Sequence, residues 1–356
     1  MKNLGNLKAT PFTNDEVMKL TRLYEFKGKD FYYASVMKSD LESIIKQTIE
    51  KECFQLVKYL KLDISENRQN LIIRKNNVPK NNTEKLVVNF KRIISGVQAD
   101  PQKFELITNQ INIMMKTLYN GIEDISFNSK TVNVQVNLLV EKRRTSTRED
   151  LEKLLNKYVS LSSTKNYERT YLITNFYVDF IHMNIFSKGN ELAGLLMIYI
   201  LLFRERFDLF KYVSFFELIN LHDIAFEDAK LHAGFNYDEG YSETGPLQKV
   251  IIDFMLEGYN KVDSMQNSYT LVRTINKTDD IENTIYKLPQ IFSKDDIRLA
   301  HPYTSESTIN RTLQRLRDEN VIRPNGVGRS ASWIRLVDKE QFNPDVKQIN
   351  LFEIND

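Results

Sequence analysis

The 356-residue chain is 42% apolar and 27% charged with a formal net charge of +2, which excludes a disordered or fibrous protein and a uniformly polyanion-coated one. Its single cysteine, Cys53, excludes an internal disulfide and a cysteine-rich zinc site and fits a reducing compartment. Residues 1–10 carry no secretory pattern, and the longest uncharged apolar run, 192–203, is 12 residues against the ~20 that a membrane span needs, so a cytoplasmic chain without a membrane partner is expected.

Two or three domains are expected from the length. Residues 1–95 read as helical: Val36, Leu41, Ile44, Ile45, Ile49, Phe54 and Leu56 recur at three- and four-residue steps with Lys and Glu between them. A polar insert at 76–83 interrupts this region. The next helical pattern, from Phe104 to Leu118, ends near Gly121. The period then changes to two over 131–140, where Val132, Val134, Val136 and Leu138 alternate with polar residues, and a strand is predicted. Helical spacing returns from Thr147. A turn on Gly189 and Asn190 then opens into the apolar run, which reads as a helix buried on all sides, its N-terminus turned toward an anion. His222, Asp223 and His232 lack the spacing of a metal site. Residues 265–280 are polar and read as a domain boundary.

Beyond that boundary, three short helices are predicted at 281–288, from Ser293 and from Ser305, then two strands around 321–322 and 333–334. This is the order of a winged helix-turn-helix. Ile309, Leu313 and Leu316 face inward on the third helix. Ser307, Thr308, Arg311, Gln314 and Arg315, with Arg329 in the turn between the strands, are the candidate DNA contacts. Residues 297–336 hold seven Arg against three acids, an asymmetry suited to a nucleic-acid face. Such modules also dock proteins or serve only as structure.

With these residues assembled, the segment from Leu118 to Lys261 resembles the Fic family of AMP-transferring proteins. The resemblance rests on the run 184–195, aligned with the family motif His-Pro-Phe-x-(Asp/Glu)-Gly-Asn-Gly-Arg-x-x-Arg. Phe186, Gly189 and Asn190 match. The resemblance implies a mainly α core with a β-hairpin flap, here 131–140, that docks a polypeptide, and a turn that holds ATP through Gly189 and Asn190. It also implies a base, an acidic metal ligand and two phosphate-clamping arginines, and at those positions stand Asn184, Lys188, Leu192 and Leu195, while Glu191 replaces the second glycine. An amide cannot take a proton, an ammonium repels Mg²⁺, and leucine cannot clamp a phosphate. The motif is therefore degenerate and no catalytic or metal-binding residue is assigned. His182 lies two residues before Asn184, about 200° round a helix, and is expected to point away and pack beside Phe180.

The sequence thus predicts a helical region at 1–95, a Fic-like core at 96–265, and a winged helix with a tail at 266–356. The leading function is a protein with adenylylation lost or strongly altered that acts by binding. The alternatives are a DNA-binding regulator whose core dimerises or senses a ligand, and an enzyme using an altered site around Asn184, Lys188, Asn190 and Glu191.

Overall fold

The computed structural model describes residues 1–7, 12–128, 131–136, 139–144, 147–274, 277–302, 304–326 and 332–336. These divide into two compact units: Met1–Ser35 with Ile45–Ser264, and Val36–Ile44 with Met265–Asp356. The N-terminal helices expected to stand apart as 1–95 thus lie largely in the same unit as the core.

In the first unit, α1 (Asn14–Gly28) starts at a Thr13–Glu16 capping box, and α2 (Asp30–Val36) follows. Then come α3 (Leu41–Tyr59), α4 (Glu66–Ile73), α5 (Asn82–Ala99) and α6 (Thr108–Leu118). The strands β1 (Thr131–Val136) and β2 (Leu139–Arg144) pair antiparallel, with Val136 opposite Leu139. The reading of 131–140 from its period as a single strand is corrected to a hairpin, which the Fic resemblance implied.

After the hairpin come α7 (Arg148–Thr164), α8 (Arg169–Met183), α9 (Asn190–Arg204), α10 (Phe215–Leu221), α11 (Asp223–Gly234) and α12 (Gly245–Thr274), the last with its end from Met265 in the second unit. Every residue of α9 from Leu192 to Phe203 is buried, as its uniform apolarity requires. Helices α8 and α9 pack so closely that a Cβ on Gly194 would lie 2.7 Å from Ile181 Cγ2 and 2.9 Å from Tyr177 Cε2. Glycine alone fits that crossing. Two buried carboxylates tie distant segments of this unit together. Asp179 accepts from the backbone N–H groups of Lys2, Asn3 and Leu4 at 2.6, 3.0 and 2.8 Å, and Glu52 of α3 accepts from Ser214 Oγ (2.7 Å), Phe215 N (2.7 Å) and Phe216 N (3.0 Å), satisfying the N-terminus of α10.

In the second unit, α13 (Lys277–Lys287), α14 (Lys294–Ala300) and α15 (Glu306–Asp318) pack on a three-stranded antiparallel sheet, order β3–β5–β4, made of β3 (Ile291–Ser293), β4 (Ile322–Asn325) and β5 (Ser332–Arg335). Its core includes Ile285, Phe292, Ile297, Ile309, Leu313 and Leu316. Strand β3 was not predicted, because three residues are too few to show a period. The polar stretch 265–280, read as a domain boundary, begins at Met265, where the longer segment of the second unit also begins, and α12 runs on to Thr274, with Met265, Gln266 and Tyr269 buried beside an exposed Asn267 and Ser268. The exposed Asn267 and Ser268 carry part of the polar signal that hid this end of the helix. Among the described residues no helix is long and apolar enough to cross a membrane.

Candidate functional site

The loop between α8 and α9 is built by two left-handed residues and one amide. Asn184 closes α8 at φ 47° and Gly189 opens α9 at φ 73°. A Cβ at Gly189 would lie 2.7 Å from Tyr119 Cε2, so the tyrosine at the end of α6 and the glycine require each other. The side chain of Asn190 then ties the loop. Its Oδ1 accepts from Phe186 N at 2.9 Å, and its Nδ2 donates to Phe186 O and Asn184 Oδ1, both at 2.7 Å.

The strand residues leading to the hairpin are zipped to this loop. Asn128 N donates to Ile185 O at 2.8 Å and Ser187 N to Ser126 O at 2.9 Å, while Asn128 Nδ2 reaches Asn184 O and Phe186 O. Phe127 stacks on Phe186 with centroids 5.0 Å apart. Nothing in the sequence marked Tyr119, Phe127 or Asn128 for this role, because each lies more than fifty residues from the loop it supports.

A cavity of about 1240 Å³ opens over the start of α9, lined among others by Tyr119, His182, Asn184, Lys188, Gly189 and Asn190. Lys188 pairs with Glu123 at 2.6 Å. Glu191 pairs with Lys230 of α11, which also meets Glu227 at 2.5 Å. Burial alone would lower the Lys230 ammonium, but its hydrogen bonds to Glu191 and Glu227 outweigh burial and raise it, so the cation is firmly held. Leu192 lines the cavity floor and Leu195 is wholly buried.

His182 corrects an expectation. It lines the same cavity as Asn184, stacking on Tyr237 at 4.5 Å and not on Phe180. The helix ends at Met183 and the left-handed turn at Asn184 breaks the 100° step on which the opposite-side argument depended. Burial lowers the imidazole below its usual range, with weaker opposing effects from Asp238 and Asp179.

In the second unit, Ser307, Arg311 and Gln314 are exposed along α15 and Arg323 is exposed on β4. Thr308 and Ser307 are engaged with the capping Ser305. Arg315 is committed elsewhere, to Glu282 at 2.5 Å and Glu319 at 3.1 Å, and Arg335 donates to the carbonyls of Ile285, Tyr286 and Leu288. The excess of arginine counted in the sequence is thus partly structural. Arg329 lies outside the described residues.

A mainly helical core with a β-hairpin, the segment before it bonded to the loop between two central helices, is a Fic-like fold. A Fic family protein from Desulfovibrio desulfuricans superposes with a TM-score of 0.55 at 13% identity, covering 93% of this chain and 98% of that one. A Fic domain containing signaling protein from Bacteroides thetaiotaomicron gives 0.52 at 12% identity, covering 70% and 97%. No family model and no curated protein matches the sequence.

The motif resemblance, not the fold, implies Mg²⁺ and ATP, and the donors at the loop bear on the metal. The carboxylate position holds Lys188, already paired with Glu123, and the only acid in the motif, Glu191, is bound to Lys230. Among the described residues no three His, Cys, Asp or Glu side chains converge on one point. These residues do not fit the metal.

Proposed function

We propose that this chain is a Fic-fold protein that binds at the α8–α9 cleft without transferring AMP. The observation that carries the reading is the state of the motif positions. The loop is held by Gly189 and Asn190, while the position of the base is an amide hydrogen-bonded to Asn190 and the two clamp positions are buried leucines, Leu192 at the cavity lining and Leu195 wholly enclosed. Loss of the general base alone removes on the order of 10² to 10⁴ in rate. What remains for an anion is the run of N–H groups at the start of α9, which no side chain caps, opposed by the Glu191 carboxylate in the same turn. Incubation with labelled ATP, with and without Mg²⁺, is expected to give no labelled protein and calorimetry no tight nucleotide binding. Label that appears with the native chain and disappears in Asn190→Ala would overturn this reading.

A second activity is favoured by α15. Its outward Arg311 and Gln314, with Arg323 on the neighbouring sheet, form a polar face suited to a duplex groove and its phosphates. The C-terminal unit is then a winged helix that binds DNA, with the Fic-like unit as a dimerising or ligand-sensing body. A gel-shift titration at low salt tests it. Arg311→Ala is expected to weaken binding, and absence of any shift by the native protein would end the idea.

A further inference from the structure

The cleft beside α9 has two properties that neither the loop nor its fold explains. The first is an exposed apolar rim. Ile224 and Leu231 of α11 and Phe235 at its C-cap are 81%, 61% and 55% exposed, although all three line the cavity. With Asp228 they fall at steps of four, three and four residues, so one face of α11 offers a stripe about three helical turns long. Leu60, Leu62 and Leu86 line the same cavity.

The second property is charge. Lys230 shows only 16% of its side chain to solvent, beneath Glu191 at 60% and Glu227 at 48%, and Asp228 stands out at 69%. Lys188, paired with Glu123, shows 64% of its side chain and is a cation of the loop, not of α11. The solvent-facing charge along α11 is therefore carboxylate, and a nucleoside triphosphate is repelled from this side of the cleft. The volume of about 1240 Å³ also exceeds the ~300–1000 Å³ of small-molecule pockets.

We propose that the cleft seats an amphipathic helical segment of a partner polypeptide, its apolar face on Ile224, Leu231 and Phe235 and its lysines or arginines against Glu191, Glu227 and Asp228. An exposed apolar stripe in a cavity that other leucines also line suits helix-in-groove recognition, and the carboxylates select for basic residues. The inference rests on reading the cleft as a binding site and not as a catalytic one.

The test is fluorescence anisotropy of the full chain with a fluorescein-labelled amphipathic helix of leucine and lysine, a matching helix with glutamate in place of lysine, and unlabelled ATP as competitor. The lysine helix is expected to bind in a salt-sensitive way and the glutamate helix to bind at least about tenfold more weakly. Leu231→Glu should weaken the lysine helix at least about tenfold, the size of an anchor worth more than ~1 kcal/mol. Asp228→Lys should weaken it several-fold at low salt. Val78→Glu, at a residue 82% exposed and outside the cavity lining, should change nothing. Unaltered protection of buried Cys53 from thiol reagents shows that each variant is folded. Equal binding of the two helices, indifference to Leu231→Glu and Asp228→Lys, or displacement of the helix by micromolar ATP overturns the proposal. Failure of the noncatalytic reading is a separate result, the appearance of label from ATP on protein.

Discussion

Replacing Glu52 by glutamine should flatten the dependence of stability on pH in the Fic-like unit. Glu52 is fully buried and accepts from Ser214 Oγ and the N–H groups of Phe215 and Phe216. Burial pushes its carboxyl from the ordinary 4.5 up to about 7, against the opposing pull of those donors. Because the folded value is raised, the folded chain binds more protons than the unfolded chain between pH 4.5 and about 7. Its stability from this group is fully present below that window and is lost as pH rises through it. A shift of this size corresponds to about 3 kcal/mol. Glu52→Gln removes the titration, and its amide offers one acceptor in place of two oxygens, at a cost of about 1–3 kcal/mol for donors left unpaired. Adjacent Cys53 is the only cysteine and is wholly buried. Its labelling rate, normalised to the unfolded chain at each pH, reports opening of this region in both proteins. The native chain should open more readily by up to two orders of magnitude from pH 5 to pH 8 relative to the variant. Parallel pH profiles would refute the argument.

Gly194→Ala should destabilise the same unit by about 1–3 kcal/mol, the usual cost of overpacking, read as a lower urea midpoint with unchanged slope. Asp179→Asn removes the carboxylate that accepts from the N–H groups of residues 2–4 and from Tyr237 Oη at 2.9 Å. Amide exchange at Asn3 and Leu4 should accelerate at least about tenfold, the equivalent of one lost charge-assisted hydrogen bond. In the second unit, Arg315→Ala should lower thermal stability through the loss of its pairs with Glu282 and Glu319, whereas Arg311→Ala should leave stability unchanged within about 0.5 kcal/mol. Equal losses for the two arginines would contradict the division between structural and surface roles.

Much of the fold was legible because burial leaves a periodic trace. The uniform apolarity of 192–203 named the central helix, and the spacing of Ile309, Leu313 and Leu316 named the inner face of α15. Serine caps marked the starts of α14 and α15 for the same local reason, a side-chain oxygen within reach of its own first turn. Local signals failed where the deciding contact was distant or brief: β3 was too short to show a period, and the polar face of α12 hid a helix.

Under the proposed motif alignment the chemistry likewise follows residue by residue, since an amide, an ammonium and two leucines cannot act as base, metal ligand and clamps in any fold. Only the tertiary structure decided what surrounds them. It brought Tyr119 onto Gly189, Asn128 onto the loop, Lys230 under Glu191, and His182 into the cavity it was expected to avoid. It also exposed the apolar face of α11 beside a rim of carboxylates. Composition and spacing record what a residue can do with its near neighbours; which charges meet across forty or sixty residues, and which apolar side chains are left uncovered, is settled only when the helices pack.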